Sequence, residues 1–488
     1  MAESSGYEVV VGLEVHAQLQ TASKLFCGDD ASFGAEPNTH ISPITMAHPG
    51  TLPVLNKKAV EYAIKMGLAC NSTITRKNYF ARKNYFYPDL PKGYQISQHT
   101  TPICDGGWVD IASGEQTRRI RLNRIHLEED AGKSLHDADP SYTCVDLNRA
   151  GVPLIEIVTE PDIRSGEEAF AYLTEIRKRL RYLGICDGNM EEGSMRCDAN
   201  ISIRKTGDTR LGTKVEVKNL NSIRNVKRAI EYEASRLIGL VESGTAIQQQ
   251  TRSFDAGNGT TFALRTKEEA NDYRYFTDPD LTPFEVSEAL LEQLTQTQPE
   301  LPEAKAERFR KDLGLSAYDA ANLTDDRDFA HYFELLLEPF QAKEQVPLFA
   351  KAAANWMLGP IRSYLNENSI SISAFPLTPA LLANLIELVE QQVVNFSTAS
   401  SRLLPELILH PEATPLETAK KLNLIQDKDV DKITLWVEEV LQQMPEKVIE
   451  YKKGKKGLIG LFMGEVKKRS QGKADPQLTN EILLQKLN

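Results

Sequence analysis

The sequence predicts an α+β fold: a β-rich cradle domain over residues 1–298, an all-α helical domain over 299–411 and a small helical tail domain over 412–488. Three observations predict it. At 488 residues the chain exceeds what one hydrophobic core supports, so it divides into several domains. Up to about residue 298, short alternating segments are punctuated by Gly, Pro, Asn and Asp, which is strand texture. Beyond Gln298 the alternation fades, and amphipathic helical patterns follow one another, several starting at a proline.

In the first strand, Tyr7 to Gln20, the odd positions Tyr7, Val9, Val11, Leu13, Val15 and Leu19 are apolar. The even positions include Glu8, Gly12, Glu14, His16 and Gln18, so Glu14 and His16 stand side by side on the polar face. Further on, Ile125 and Leu127 leave His126 and Glu128 on the opposite face. Upstream the phase differs, with Ile120 and Leu122 even, which predicts a bulge or bend near Asn123. Val152 to Val158 is almost continuously apolar, as in a strand buried on both sides, yet Glu156 sits at its centre. An ionised carboxylate there is costly unless it is paired, protonated or bound to a metal. Two more strands alternate: Met195, Cys197, Ala199, Ile201 and Ile203 against Arg196, Asp198 and Asn200, and Val215 and Val217 against Glu216 and Lys218. Each pattern also has a plain structural reading: a half-exposed strand for Glu14 and His16, a solvated acidic turn for Glu128, a buried salt bridge for Glu156. As a set, carboxylates with one imidazole suit magnesium or manganese better than zinc.

Helical spacing covers Glu167 to Leu183, where Ser165 and Glu168 form a capping-box pattern, and Ile223 to Val241. In the second half, helices are expected at about Pro302–Asp312, Asp328–Gln341, Pro347–Asn366 and Pro379–Gln392.

Hydrophobic content of 41% and charged content of 26% are those of a globular protein, and no window is apolar enough to span a membrane. Met1 to Tyr7 is short and polar, unlike a secretory or transit signal, so a cytoplasmic location is expected. The six cysteines are scattered without C-x-x-C spacing, which reads as reduced thiols. There is no G-x-S-x-G elbow, which disfavours a nucleophilic hydrolase. Gly132-Lys133-Ser134 resembles the end of a phosphate-binding loop, but Leu127 stands where that motif needs its first glycine. The cations and aromatics of Arg82 to Gln95 could line a nucleotide or RNA pocket or form a packed loop. Net charge is −11, yet nine cations face only three carboxylates between Glu446 and Lys473. That cluster fits either a phosphate-backbone contact or a solvated basic face.

Several segments in one order carry a family likeness: Val11–His16, Arg82–Asp89, Glu128–Ser134, Met190–Asn200, Asp272–Phe276 and Gly472–Pro476. Together they resemble the B subunits of the bacterial aspartyl/glutamyl-tRNA amidotransferases, over essentially the whole chain. The resemblance implies ATP- and Mg2+-dependent phosphorylation of the side-chain carboxylate of Glu-tRNA(Gln) and/or Asp-tRNA(Asn). Ammonia then amidates it to Gln-tRNA(Gln) or Asn-tRNA(Asn). It implies as partners an amidase (A) subunit that supplies ammonia, a small C subunit completing a heterotrimer, and mischarged tRNA. By the same resemblance Glu14, His16, Glu128 and Glu156 form the catalytic and metal cluster, with His16 alternatively orienting the carboxylates. Arg82, Lys83, Asp198, Asn200 and Lys218 would line the nucleotide or substrate pocket. Lys452, Lys453, Lys455, Lys456, Lys467 and Lys468 would contact tRNA. Some members of the family carry a cysteine zinc site; Cys27 has no nearby second cysteine, so zinc is not expected. The competing readings are a ligase acting on a free small carboxylate and a non-catalytic RNA-binding adaptor.

Overall fold

The computed structural model describes residues 6–114, 116–135, 139–266, 273–340, 346–426, 429–470 and 472–487. The chain divides into two compact units, Met1–Leu301 and Pro302–Asn488. It is an α+β protein, a large mixed sheet with helices followed by a helical region. No described helix is long and apolar enough to cross a membrane.

In the first unit the principal strands are β1 (Tyr7–Gln18), β2 (Ala81–Asn84), β3 (Tyr94–Ser97), β4 (Gln116–Glu129), β5 (Pro153–Thr159), β6 (Met195–Lys205), β7 (Val215–Leu220), β8 (Gln250–Asp255), β9 (Thr260–Thr266) and β10 (Arg274–Thr277). They belong to a 13-stranded sheet in the order β9-β8-β7-β6-β1-β5-β4-β3-β2-β10. These neighbours run antiparallel except β7 and β8, which are parallel. A parallel pair needs a crossover, and α3 (Ile223–Glu242) supplies it. With α1 (Lys57–Ala69) and α2 (Gly166–Tyr182), α3 covers one face of the sheet. Val9, Val11, Leu13, Val15 and Ala17 of β1 are buried there with Ile64, Tyr172, Ile176 and Val226. The even-numbered side chains of β1 therefore point to the other face.

The expected irregularity near Asn123 has a clear origin. Val158 pairs with Arg124 and Thr159 with Leu122, so Asn123 is the extra residue that switches the buried phase from even to odd. At the start of α2, the Ser165 hydroxyl accepts the Glu168 N–H, at 3.1 Å. Glu168 does not return to the cap residue; its carboxylate accepts the Arg164 N–H and pairs with Arg118. Half of the capping box is thus present, and the other half serves the loop before it.

Gly132 has a packing reason rather than a phosphate-binding one. Its N–H donates to the Asp89 carbonyl at 2.8 Å. A Cβ there would lie 2.9 Å from both the Asp89 and Asp146 carbonyl oxygens. Gly132→Ala is expected to lower stability by about 1–3 kcal/mol, an overpacking cost, measured as a shifted denaturant midpoint at constant slope.

Among its described residues the second unit holds two separate buried cores, one from Phe309 to Leu424 and one from Ile433 to Leu487. Helices span Pro302–Leu313, Arg327–Leu337 and Pro379–Glu390, close to the expected ranges. Gln341, the expected end of the second, lies outside the described residues. The helix expected over 347–366 is Val346–Trp356 and Arg362–Asn368, joined by a π turn at Met357–Ile361. Pro360 lies in that turn, and a proline cannot donate to the regular ladder.

Candidate active site

Cross-strand register assembles the site on the sheet face away from the helices. His16 of β1 lies opposite Glu156 of β5, and Glu156 lies opposite His126 of β4. On the other flank of β1, Glu14 lies opposite Asp198 of β6, and Asn200 lies opposite Glu216 of β7. These side chains fall into two groups. In the first, His16 Nε2 is 3.6 Å from Glu156 Oε2 and 3.9 Å from Glu128 Oε1. His126 Nε2 closes it, 3.3 Å from Glu156 Oε2 and 3.5 Å from Glu128 Oε2. The Ser97 hydroxyl donates to Glu128 Oε2 at 3.1 Å. In the second, Lys218 Nζ is 2.8 Å from Asp198 Oδ2 and 3.1 Å from Glu216 Oε1, and Asn200 Nδ2 donates to Glu14 Oε1 at 2.9 Å.

Three residues of each group, His16/Glu128/Glu156 and Glu14/Asp198/Glu216, bring one ligand atom apiece within 4.8 Å of one another. Glu14, His16, Glu128 and Glu156, expected as one catalytic and metal cluster, therefore divide between the two groups. His16, Glu128 and Glu156 converge, whereas Glu14 belongs to the adjacent group. The reason is strand geometry: residues two apart share a face but stand roughly 6.6 Å apart along it.

The charges explain how these groups coexist in a partly buried cleft. Burial alone favours neutral Glu156, but the imidazoles of His126 and His16 outweigh it and hold its carboxyl well below the usual range. Glu128 is lowered in the same way: burial opposes ionisation, and His126 overcomes it. Burial pulls His126 down, and the carboxylates of Glu156 and Glu128 push it up to about 9. His16 is also raised against burial, by Glu156 and Glu128. Glu14 is raised by burial and by the negative charges of Glu156 and Asp198. Burial disfavours the Lys218 ammonium, but Asp198 and Glu216 hold it protonated. Lys83 is likewise kept charged against burial, chiefly by Glu128.

The donor set fits a hard divalent cation. Each group offers carboxylate oxygens, one adds an imidazole nitrogen, and none of these ligands is a thiol. His126 Nδ1 is buried without a hydrogen-bond partner beside the first group. The cleft above the two groups is open, has a volume of about 620 Å³ and is lined by Lys83, Tyr85, Met190, Arg196 and Asn221 among others. Asp130 anchors its wall, accepting from Gln18 Nε2 and from the Arg196 guanidinium, each at 2.7 Å.

A sequence profile described as the GatB/GatE catalytic domain matches residues 9–292, and one described as the GatB domain matches residues 339–487. The chain belongs to this family. It is 50% identical over 485 residues to the B subunit of the aspartyl/glutamyl-tRNA(Asn/Gln) amidotransferase of Geotalea uraniireducens (strain Rf4), covering 99% of each chain. The B subunits of the same enzyme from Chlorobium chlorochromatii (strain CaD3) and Nitratidesulfovibrio vulgaris (strain DP4) are 49% and 48% identical over 483 residues. Those alignments cover 99% of this chain and 99% and 100% of the relatives.

Within this family frame the remaining expected residues separate by strand face. Lys83, Asp198 and Lys218 line the cleft, and Asn200 orients Glu14 beside it. Arg82 does not line it. Its Nε is 2.8 Å from Asp278 Oδ2, its Nη2 is 2.6 Å from Asp280 Oδ2, and it stacks on Tyr94. One residue from Lys83 on the same strand, it takes the opposite face and ties β2 to the 278–280 segment. Asp272 of the family-like segment Asp272–Phe276 lies outside the described residues. Tyr273 places its ring centroid 4.9 Å from Lys83 Nζ. The lysines of the tail, Lys452, Lys453, Lys455, Lys456, Lys467 and Lys468, are all exposed. Lys455 pairs with Glu450 at 3.1 Å, and Lys456 Nζ sits 4.3 Å from the centroid of the Tyr451 ring.

Sequence reasoning left His126, Glu216 and Asp130 out of the site. His126 is two residues before Glu128, and Glu216 two before Lys218, so alternation puts each on the correct face. Which of them meets a partner strand's carboxylate depends on register, which alternation does not contain.

Proposed function

We propose that this chain is the kinase and transamidase subunit of a tRNA-dependent amidotransferase. It phosphorylates the side-chain carboxylate of Glu-tRNA(Gln), Asp-tRNA(Asn) or both with ATP, and ammonia then displaces phosphate to give the amide. The observation that carries this reading is the end-to-end likeness to aspartyl/glutamyl-tRNA(Asn/Gln) amidotransferase B subunits at 48–50% identity.

The cleft suits that chemistry. Phosphoryl transfer asks for charge neutralisation and positioning rather than a protein nucleophile. Magnesium, held by His16, Glu128 and Glu156 and by Glu14, Asp198 and Glu216, would neutralise phosphate oxygens and fix the triphosphate. His126 holds Glu128 and Glu156 ionised and aimed at the first group. Lys218 keeps Asp198 and Glu216 together, and Lys83 and Arg196 present cations to the anionic reactants. The ammonia would come from a glutamine-hydrolysing A subunit, with a small C subunit completing the complex. Such a complex belongs in the cytoplasm, where charged tRNA is made.

The deciding assay mixes this chain, its amidase partner, Glu-tRNA(Gln), ATP, magnesium and glutamine, and looks for Gln-tRNA(Gln). Absence of product with Glu-tRNA(Gln) and with Asp-tRNA(Asn), the partner's glutaminase being active, overturns the proposal.

The tail lysines are proposed to hold the tRNA body. Replacing Lys452, Lys453, Lys455 and Lys456 by Glu is expected to raise the KM for charged tRNA about tenfold or more, with a shallower salt dependence. An unchanged KM would assign the cluster to solvation.

A further inference from the structure

The active-site cleft does not end at its rim. Met190 and Asn221 line the cleft and also line a second, open groove between α2 and the first turn of α3. That groove carries Arg177 and Arg181 of α2, Arg224 of α3 and Phe170. Phe170, Arg177 and Arg181 are seven and four residues apart, which places them along one helical face. All three arginines are exposed, and Phe170 leaves 40% of its surface to solvent. Two carboxylates share the groove, Asp187 and Glu191. Asp187 is turned into its own loop, accepting the Asn189 N–H at 2.8 Å and the Ser194 hydroxyl at 3.3 Å.

We infer that this groove receives the single-stranded 3′ end of the charged tRNA, with Arg177, Arg181 and Arg224 on successive phosphodiesters and Phe170 against a base. The inference rests on the proposed function and adds the route by which that substrate enters. A tRNA body is too large for the cleft, so its aminoacyl end has to cross the rim as an extended strand. The groove supplies what such a strand needs, cations spaced along its track and an aromatic surface. ATP is a poorer fit: its phosphates belong with a cation at the two carboxylate groups, and no residue of those groups lines this groove.

The test uses the assembled amidotransferase and compares wild type with an R177A/R181A/R224A variant across a range of KCl concentrations. The expected result is a KM for charged tRNA raised about tenfold or more, with kcat and the KM for ATP within about twofold. The log–log salt slope should become shallower by about 2, from roughly 0.7 per single-strand phosphate contact. The R177K/R181K/R224K variant restores most of that slope, which a merely structural role of the arginines would not require. Phe170→Ala raises the tRNA KM without altering the slope. An active wild type with an unmoved tRNA KM and slope in the alanine variant overturns the groove alone. A raised ATP KM with an unchanged tRNA KM also overturns it, assigning the groove to the nucleotide. A wild-type complex that forms no amidated tRNA overturns the proposed function, and this inference with it.

Discussion

Glu156→Gln is expected to lower phosphoryl transfer by on the order of 10³-fold while binding of charged tRNA stays within about twofold. The substitution keeps shape and removes one negative charge. That charge is the hub of the first group: Glu156 Oε2 is 3.6 Å from His16 Nε2 and 3.3 Å from His126 Nε2. With an amide there, both imidazoles lose one of the two carboxylates that raise them, and Glu128 is left as the group's only carboxylate. A cation held by one carboxylate and one imidazole has lost much of its charge compensation. The measurement is single-turnover, ATP-dependent activation of Glu-tRNA(Gln), with hydroxylamine trapping the activated acyl group. Manganese binding followed by electron paramagnetic resonance supplies a second readout, in which the variant loses one site. Near-wild-type trapping by Glu156→Gln would remove this residue from the chemistry and return it to a structural ion pair.

The sequence carried the faces of the strands and lost their register. Alternation in β1 puts Glu14 and His16 on one face, and the phase change around Asn123 puts His126 and Glu128 on the same face. A carboxylate at the centre of Val152–Val158 marks Glu156 as costly wherever the strand lies. None of this says that β5 lies between β1 and β4, since β1 is remote from both in the chain and a long connection joins β4 to β5. Register decides the grouping: it sets Glu14 across from Asp198 and His16 across from Glu156, and so makes two groups from an expected one. Arg82 shows the converse. Composition marks Arg82 and Lys83 alike as pocket cations, and only the pleat separates the one that faces Asp278 from the one that faces Glu128. Helices fared well because their apolar period and their caps are local. Ser165, Ser222 and Thr378 each cap the helix that follows through a hydroxyl three residues from the N–H it accepts.

Glu233→Ala is expected to cost about 3–5 kcal/mol of stability, because it strips the partner from a buried charge. Glu233 is on α3 and is fully buried. Its carboxylate takes the Arg236 guanidinium, with Nη2 at 2.7 Å from Oε2, and Arg252 Nε lies 3.1 Å from Oε1. The Thr261 hydroxyl donates to the same carboxylate. Arg252 is on β8 and Thr261 on β9, so one side chain fastens the crossover helix to the two strands beyond it. Burial already pulls Arg252 below its ordinary value, and without Glu233 its guanidinium keeps the neutral oxygens of Thr261 and Gln250. The loss then reaches the active site, since β8 pairs with β7, the strand that carries Glu216 and Lys218. The measurement is denaturant unfolding together with the KM for ATP, and both should worsen. Replacing Glu233 and Arg252 together by Leu and Met should recover much of the stability, because no buried charge is then left alone. A Glu233→Ala cost below about 1 kcal/mol would mean that water reaches Arg252, and the strands beyond α3 would then owe their place to the apolar core around Val226, Ile230 and Phe254.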